Sequence, residues 1–195
     1  CEKPLHPDKA PVAYADLYEY KNQLLDQYRK NERIEGKRTV GIPMGLNIYE
    51  LLPFWYTFFR TLDCNVIVSP HSTRKLYLSG QQTIPSDTVC YPAKLMHGHI
   101  EALIETHPDI IFYPCMSYNL NEGKGDNHYN CPVVAYYPKV IKANMQLPQD
   151  ITLVTDFIGL HNKKEFPPHM LHLLEKYFGV GCYTLRQVKA AANAA

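Results

Sequence analysis

A doubly wound α/β domain, flavodoxin- or Rossmann-like, with a mostly parallel sheet and an N-terminal helix, is the fold class this sequence predicts. Three observations lead there. Short apolar runs at 39–43, 65–69, 109–114, 132–136 and 151–155 alternate with helical patterns, as in successive strand–helix–strand units. Asp109-Ile110-Ile111-Phe112-Tyr113 is apolar without alternation after its first residue, which suits a strand covered on both faces of a parallel sheet. With 195 residues, 46% of them hydrophobic, the chain can bury one substantial core but not two.

The elements follow in order. Residues 11–34 carry Tyr14, Leu17, Tyr18, Leu24, Leu25 and Tyr28 at helical spacing with charges between them, an amphipathic helix. It belongs to a helical linker over residues 1–36, ahead of an α/β domain over 37–195. Thr39-Val40-Gly41-Ile42-Pro43 is the first strand. Asn47 then caps a helix through Arg60, with Leu51, Leu52, Trp55, Phe58 and Phe59 on its buried face and Pro53 early in it. Cys64 opens the second strand, through Ser69, as a small buried apolar residue. Helices at 72–79, ended by Gly80, and at 93–106 precede the strand at 109–114.

A polar loop with Gly123, Gly125 and several Asn spans 116–130; loops of that length in compact domains are functional or disordered. Val133-Val134-Ala135-Tyr136 reads as a strand followed by a turn or two of helix to Met145. The last strand is 151–155, and helices at 167–177 and 185–195 complete the chain. The start at Cys1 and the uncapped alanine-rich end lead us to expect a piece of a longer polypeptide.

Composition excludes several classes of function. Twenty basic against nineteen acidic residues leave a net charge of +1, too little to hold nucleic acid or an anionic membrane as main partner. No apolar run approaches the roughly 20 residues that span a bilayer, and no signal peptide opens the chain, so the expected location is cytoplasmic. There is no Gly-x-Gly-x-x-Gly and no phosphate loop, since Gly41-Ile42-Pro43-Met44-Gly45 lacks the Lys-Ser/Thr.

Six cysteines, at 1, 64, 90, 115, 131 and 182, are spaced too widely for a small disulfide-stapled domain. No Cys-x-x-Cys announces zinc. Iron–sulfur clusters draw ligands from separate loops more readily. Ligands of open parallel sheets bind beyond the carboxyl ends of the strands, where helix N-termini favour anions, thiolates included. Cys115 ends a strand and Cys90 precedes a helix, so both are expected at that edge. Cys131 precedes its predicted strand, which puts it at the opposite edge unless the 116–130 loop folds back or that strand is shifted or antiparallel. His97, His99 and His128 are candidate ligands or supporting donors. His97 and His99, two apart on a helix, do not share a face and so do not form a joint metal site.

The segments Gly41-Ile42-Pro43, Tyr49-Glu50, Pro53-Phe54-Trp55, Pro85-Ser86 to Lys94, Phe112-Tyr113-Pro114-Cys115 and Asp126-Asn127-His128-Tyr129-Asn130-Cys131-Pro132 carry a resemblance. Over about residues 38–160 the chain resembles the middle region of the large activator proteins related to 2-hydroxyglutaryl-CoA dehydratase activators. More distantly, it is similar to the cluster-binding halves of 2-hydroxyacyl-CoA dehydratase subunits. The resemblance implies a 4Fe-4S cluster held by cysteine thiolates in an anaerobic redox protein, with Cys90, Cys115 and Cys131 the candidate ligands in this sequence. It further implies that an ATPase module of the same longer protein drives electrons to a dehydratase-like partner. The ATPase motifs are not in this sequence. Two classes therefore stand side by side: a cluster-carrying electron-transfer module, and a non-catalytic docking domain with the same fold.

Overall fold

The structure is a computed structural model and describes residues 15–30 and 33–195. Cys1, Pro11 and Tyr14 lie outside the described residues. Helix α1 (Leu17–Asp26) starts at Asp16, whose carboxylate accepts from the N–H groups of Tyr18 and Glu19, and runs into a 3-10 turn, Gln27–Arg29. Its inward residue is Leu25, while Leu17 and Tyr18 are largely exposed. Tyr49 O–H donates to Asn22 and His71 reaches Asp26, so polar contacts supplement a narrow apolar contact.

The sheet consists of β1 (Thr39–Ile42), β2 (Asn65–Val68), β3 (Ile110–Phe112) and β4 (Thr152–Val154), in spatial order β2-β1-β3-β4. Every pairing is parallel, with Val40 opposite both Val66 and Ile110, and Ile111 opposite Leu153. The predicted doubly wound α/β class holds. The predicted strand at 132–136 does not: those residues open helix α5 (Pro132–Asn144). Two β-branched residues and a tyrosine look strand-like, yet Pro132 stands at the first helical position, where its missing N–H costs nothing. Ala135, Pro138 and Ile141 recur every third residue on the buried side, a helical period.

Helix α2 (Leu46–Thr61) covers one face together with α6 (Phe166–Phe178) and α7 (Leu185–Ala194). Trp55 and Phe59 lie 4.7 and 4.9 Å from the Phe112 ring, and Phe166 stacks on the same cluster. Truncating one such ring to alanine costs about 3–5 kcal/mol. Asn47 does not cap α2. Gly45 takes that place in extended backbone, and the Asn47 amide lies one residue inside the helix, buried without a hydrogen-bond partner. Pro53 is likewise deeper than expected, at the eighth residue of the helix.

Helices α4 (Tyr91–Ile104) and α5 cover the other face. A Cβ on Gly41 of β1 would come within 3.3 Å of Leu103 of α4, so that strand and helix meet closely. Helix α3 (Arg74–Gly80) lies on α4 through a glycine crossing: a Cβ on Gly98 would fall 1.9 Å from the Leu76 carbonyl oxygen, and one on Gly80 2.3 Å from the Gly98 nitrogen. Cys64 is fully buried at the start of β2, as expected of a small apolar residue, its Sγ 3.2 Å from the Tyr183 hydroxyl. Among the described residues no helix is long and apolar enough to cross a membrane.

Because β2 and β3 flank β1 on opposite sides, the chain reverses its winding between β1 and β3. The crevice at the carboxyl ends of these two strands is where open α/β sheets place ligands.

Candidate functional site at the carboxyl edge of the sheet

Beyond β3 the backbone stays extended through Tyr113-Pro114-Cys115. Tyr113 N–H donates to the Val154 carbonyl, Cys115 N–H to Asp156 and Ile158 N–H back to Cys115, which bridges Cys115 to Phe157 past the end of β4. In an extended chain, residues two apart share a face. Tyr113 and Cys115 therefore point toward α4 and α5, opposite to Phe112, and both are fully buried.

Cys90 and Cys131 occupy the N-cap positions of α4 and α5, and neither makes a side-chain cap bond. Both are exposed. N-cap positions ordinarily carry Ser, Thr, Asp or Asn, whose oxygens accept from the free N–H groups of the first turn. The chain uses that chemistry at Asp16, Thr73 and Thr184. Two thiols at caps facing the crevice forgo it.

Cys131 reaches the carboxyl edge under the condition stated for it, the folding back of the 116–130 loop, although the strand expected after it is a helix. Since residues 132–144 are a helix returning along the sheet, their N-terminus sits at the carboxyl edge. The loop ahead of them also folds back as a small antiparallel ribbon. Tyr118 bridges Tyr129, Asn119 N–H donates to the His128 carbonyl, and Asn130 N–H to Ser117. Continuing that register sets the backbone of Cys131 opposite that of Met116, the residue after Cys115. Tyr118 is ringed by Tyr129, His128 and His161, with centroids 4.9, 5.8 and 4.9 Å away.

The histidines of α4 serve two separate networks. Thr83 O–H donates to the Gly80 carbonyl, so the His97 Nδ1–H must donate to Thr83 Oγ1, 2.7 Å away. Neutral His97 then accepts at Nε2 from the Tyr137 hydroxyl at 3.0 Å. His99 lies between Ser69 and Ser72, at 2.7 and 2.9 Å. Burial holds both imidazoles neutral, pushed down to about 4. They are hydrogen-bonding groups in separate polar networks.

Burial pushes the Cys115 thiol up, while the charge and backbone N–H of Lys139 draw it back. Burial raises the Tyr113 phenol well above its ordinary value, and the electrostatic influence of Tyr137, Cys115 and Cys90 adds to the effect. That hydroxyl is buried and has no hydrogen-bond partner. Neither tyrosine was singled out from the sequence; the signal available was the spacing of Tyr113 and Cys115, two apart at a strand end.

The five described cysteines are all free. Among the described residues no three His, Cys, Asp or Glu side chains are grouped to hold a single metal ion. The three cysteines lie on three segments, two of them at helix N-termini and one after β3 two residues from Tyr113, whose buried hydroxyl has no partner.

Comparison with curated proteins and with solved structures gives no match. A family model does match: it covers residues 39–195, from the first residue of β1 to the last of the chain. On that match the chain belongs to the family described as the CoA enzyme activase uncharacterised domain, DUF2229.

Proposed function

We propose that this domain is the cysteine-bearing electron-transfer module of an activase-type protein, with Cys90, Cys115 and Cys131 as thiolate ligands of a 4Fe-4S cluster. The observation that carries the reading is the use of two crevice-facing helix N-caps for cysteine, beside a third cysteine at the end of β3. When bound, such a cluster supplies one-electron transfer at low potential. The N-terminal dipoles of α4 and α5 would favour the negative charge of the thiolates and of a thiolate-ligated cluster. Cys115 anchors from the buried side, and the exposed Cys90 and Cys131 close the site from solvent. Membership of an activase family supports a dehydratase-type partner in general terms, and the proposed setting is electron transfer to it in an anaerobic cytoplasm. An ATPase module of the same longer protein is the proposed driver.

A second reading, a docking domain without a cluster, is favoured by one observation. Tyr129, Tyr136 and Phe157, near the same edge, are 72, 51 and 45% exposed. Anaerobic reconstitution with ferrous iron and sulfide separates the two. A brown protein whose iron uptake is abolished by Cys90→Ser or Cys115→Ser and kept by Cys64→Ser supports the cluster. A colourless, iron-free protein supports docking alone.

A further inference from the structure

Tyr113 stands two residues from Cys115 and Tyr137 six residues after Cys131 in α5, and their hydroxyl protons are differently committed. The bond directions from Gly80 through Thr83 and His97 send the Tyr137 proton to His97 Nε2, away from the cysteines. Tyr113 has no such outlet. Its side chain is wholly buried, two residues from Cys115 on the same face of the strand, and its oxygen finds no partner in the protein. A phenol O–H in that state carries a desolvation cost with nothing to offset it. A buried hydroxyl without a partner calls for a cause, and a redox role or a bound group is among the causes such atoms have.

We infer that Tyr113 is a positioning residue of the cysteine site, its hydroxyl donating a hydrogen bond to sulfur when the site is loaded. The inference rests on the cluster reading above. The sulfur is a ligand thiolate or a cluster sulfide, both anionic acceptors. The bond strengthens as negative charge accumulates there, so it stabilises the reduced state and raises the reduction potential. Tyr137 lends only an oxygen acceptor to that neighbourhood, and its role is to hold His97.

The two tyrosines should then respond in opposite ways to loss of the hydroxyl, a contrast that a purely structural role for Tyr113 does not produce. Metal-free Tyr113→Phe should melt at or above the wild-type temperature, because it removes an unsatisfied polar atom. Metal-free Tyr137→Phe should melt lower, because it leaves His97 Nε2 buried without a donor. After anaerobic loading with ferrous iron and sulfide, Tyr113→Phe should take up as much iron as wild type. It should be about tenfold harder to reduce, about 59 mV lower for one electron, by spectroelectrochemical titration. A lower melting temperature for metal-free Tyr113→Phe, or a potential equal to wild type, overturns the inference and leaves the cluster reading standing. Failure of wild type itself to take up iron overturns both.

Discussion

The Asn130 side-chain amide donates to the Met116 carbonyl at 2.7 Å, and this bond closes the base of the long loop after β3. It joins the residue before Cys131 to the residue after Cys115. Two cysteines sixteen positions apart along the chain are thereby held at one edge.

Asn130→Ala should open that base. The lost hydrogen bond costs about 1 kcal/mol of stability. The larger effect is local: the amides of Asn119 and Asn130, bonded across the ribbon to His128 and Ser117, should exchange with deuterium much faster, while α4 and the sheet keep their protection. Unchanged exchange at those two amides would show that the ribbon holds without Asn130.

Gly98→Ala should be among the most damaging single substitutions. Its Cβ would lie 1.9 Å from the Leu76 carbonyl oxygen, a backbone atom that cannot move aside without shifting α3. Overpacking of this kind costs about 3 kcal/mol or more. Urea unfolding of Gly123→Ala, which has open space but a positive φ of 72°, provides a comparison that separates steric from conformational cost. Equal midpoints for Gly98→Ala and wild type would remove the close helix crossing from the fold.

Stability should fall on acidification in two stages. His97 and His99 are held down to about 4 when folded against an ordinary 6.5, so between those values the unfolded chain binds more protons. Stability is therefore full above pH about 6.5 and declines toward pH about 4, with a limiting slope of about 2.7 kcal/mol per pH unit for two protons. A second loss belongs to Asp156. Burial would raise its carboxyl, but hydrogen bonds from Lys176, at 2.7 Å, and Tyr177 outweigh that and hold it below the ordinary carboxylate range. Its contribution is present above the unfolded value and disappears as pH falls through the folded one. Urea midpoints measured from pH 7 to 3 for wild type and His97→Gln test the first stage, which should be shallower in the variant. A flat profile between pH 6.5 and 4 would place the imidazoles in contact with water.

Much of the architecture was legible because its signals are local. The apolar runs of β1, β2, β3 and β4 and the ring-rich face of α2 follow from periodicity, and the predicted class required only their alternation. Cys90 before a helix and Cys115 after a strand could be assigned to the ligand edge by the same logic. Residues 132–136 were misread because Val133, Val134 and Tyr136 suit either state, and tertiary packing of Ala135, Pro138 and Ile141 against the sheet decided for helix.

That one change of state relocates Cys131. Whether an N-terminal residue of a segment lies at one edge of a sheet or the other depends on whether the segment is a strand or a returning helix, and residue spacing alone does not tell. The loop's fold-back, the direction of the proton on Tyr137 and the isolation of the Tyr113 hydroxyl arise from contacts between residues far apart in sequence. Composition and periodicity determined which chain segments carry the cysteines. Only the tertiary structure, through the hydrogen bonds of Asn130, Thr83 and His97, decided that those segments meet and which polar atom among them was left without a partner.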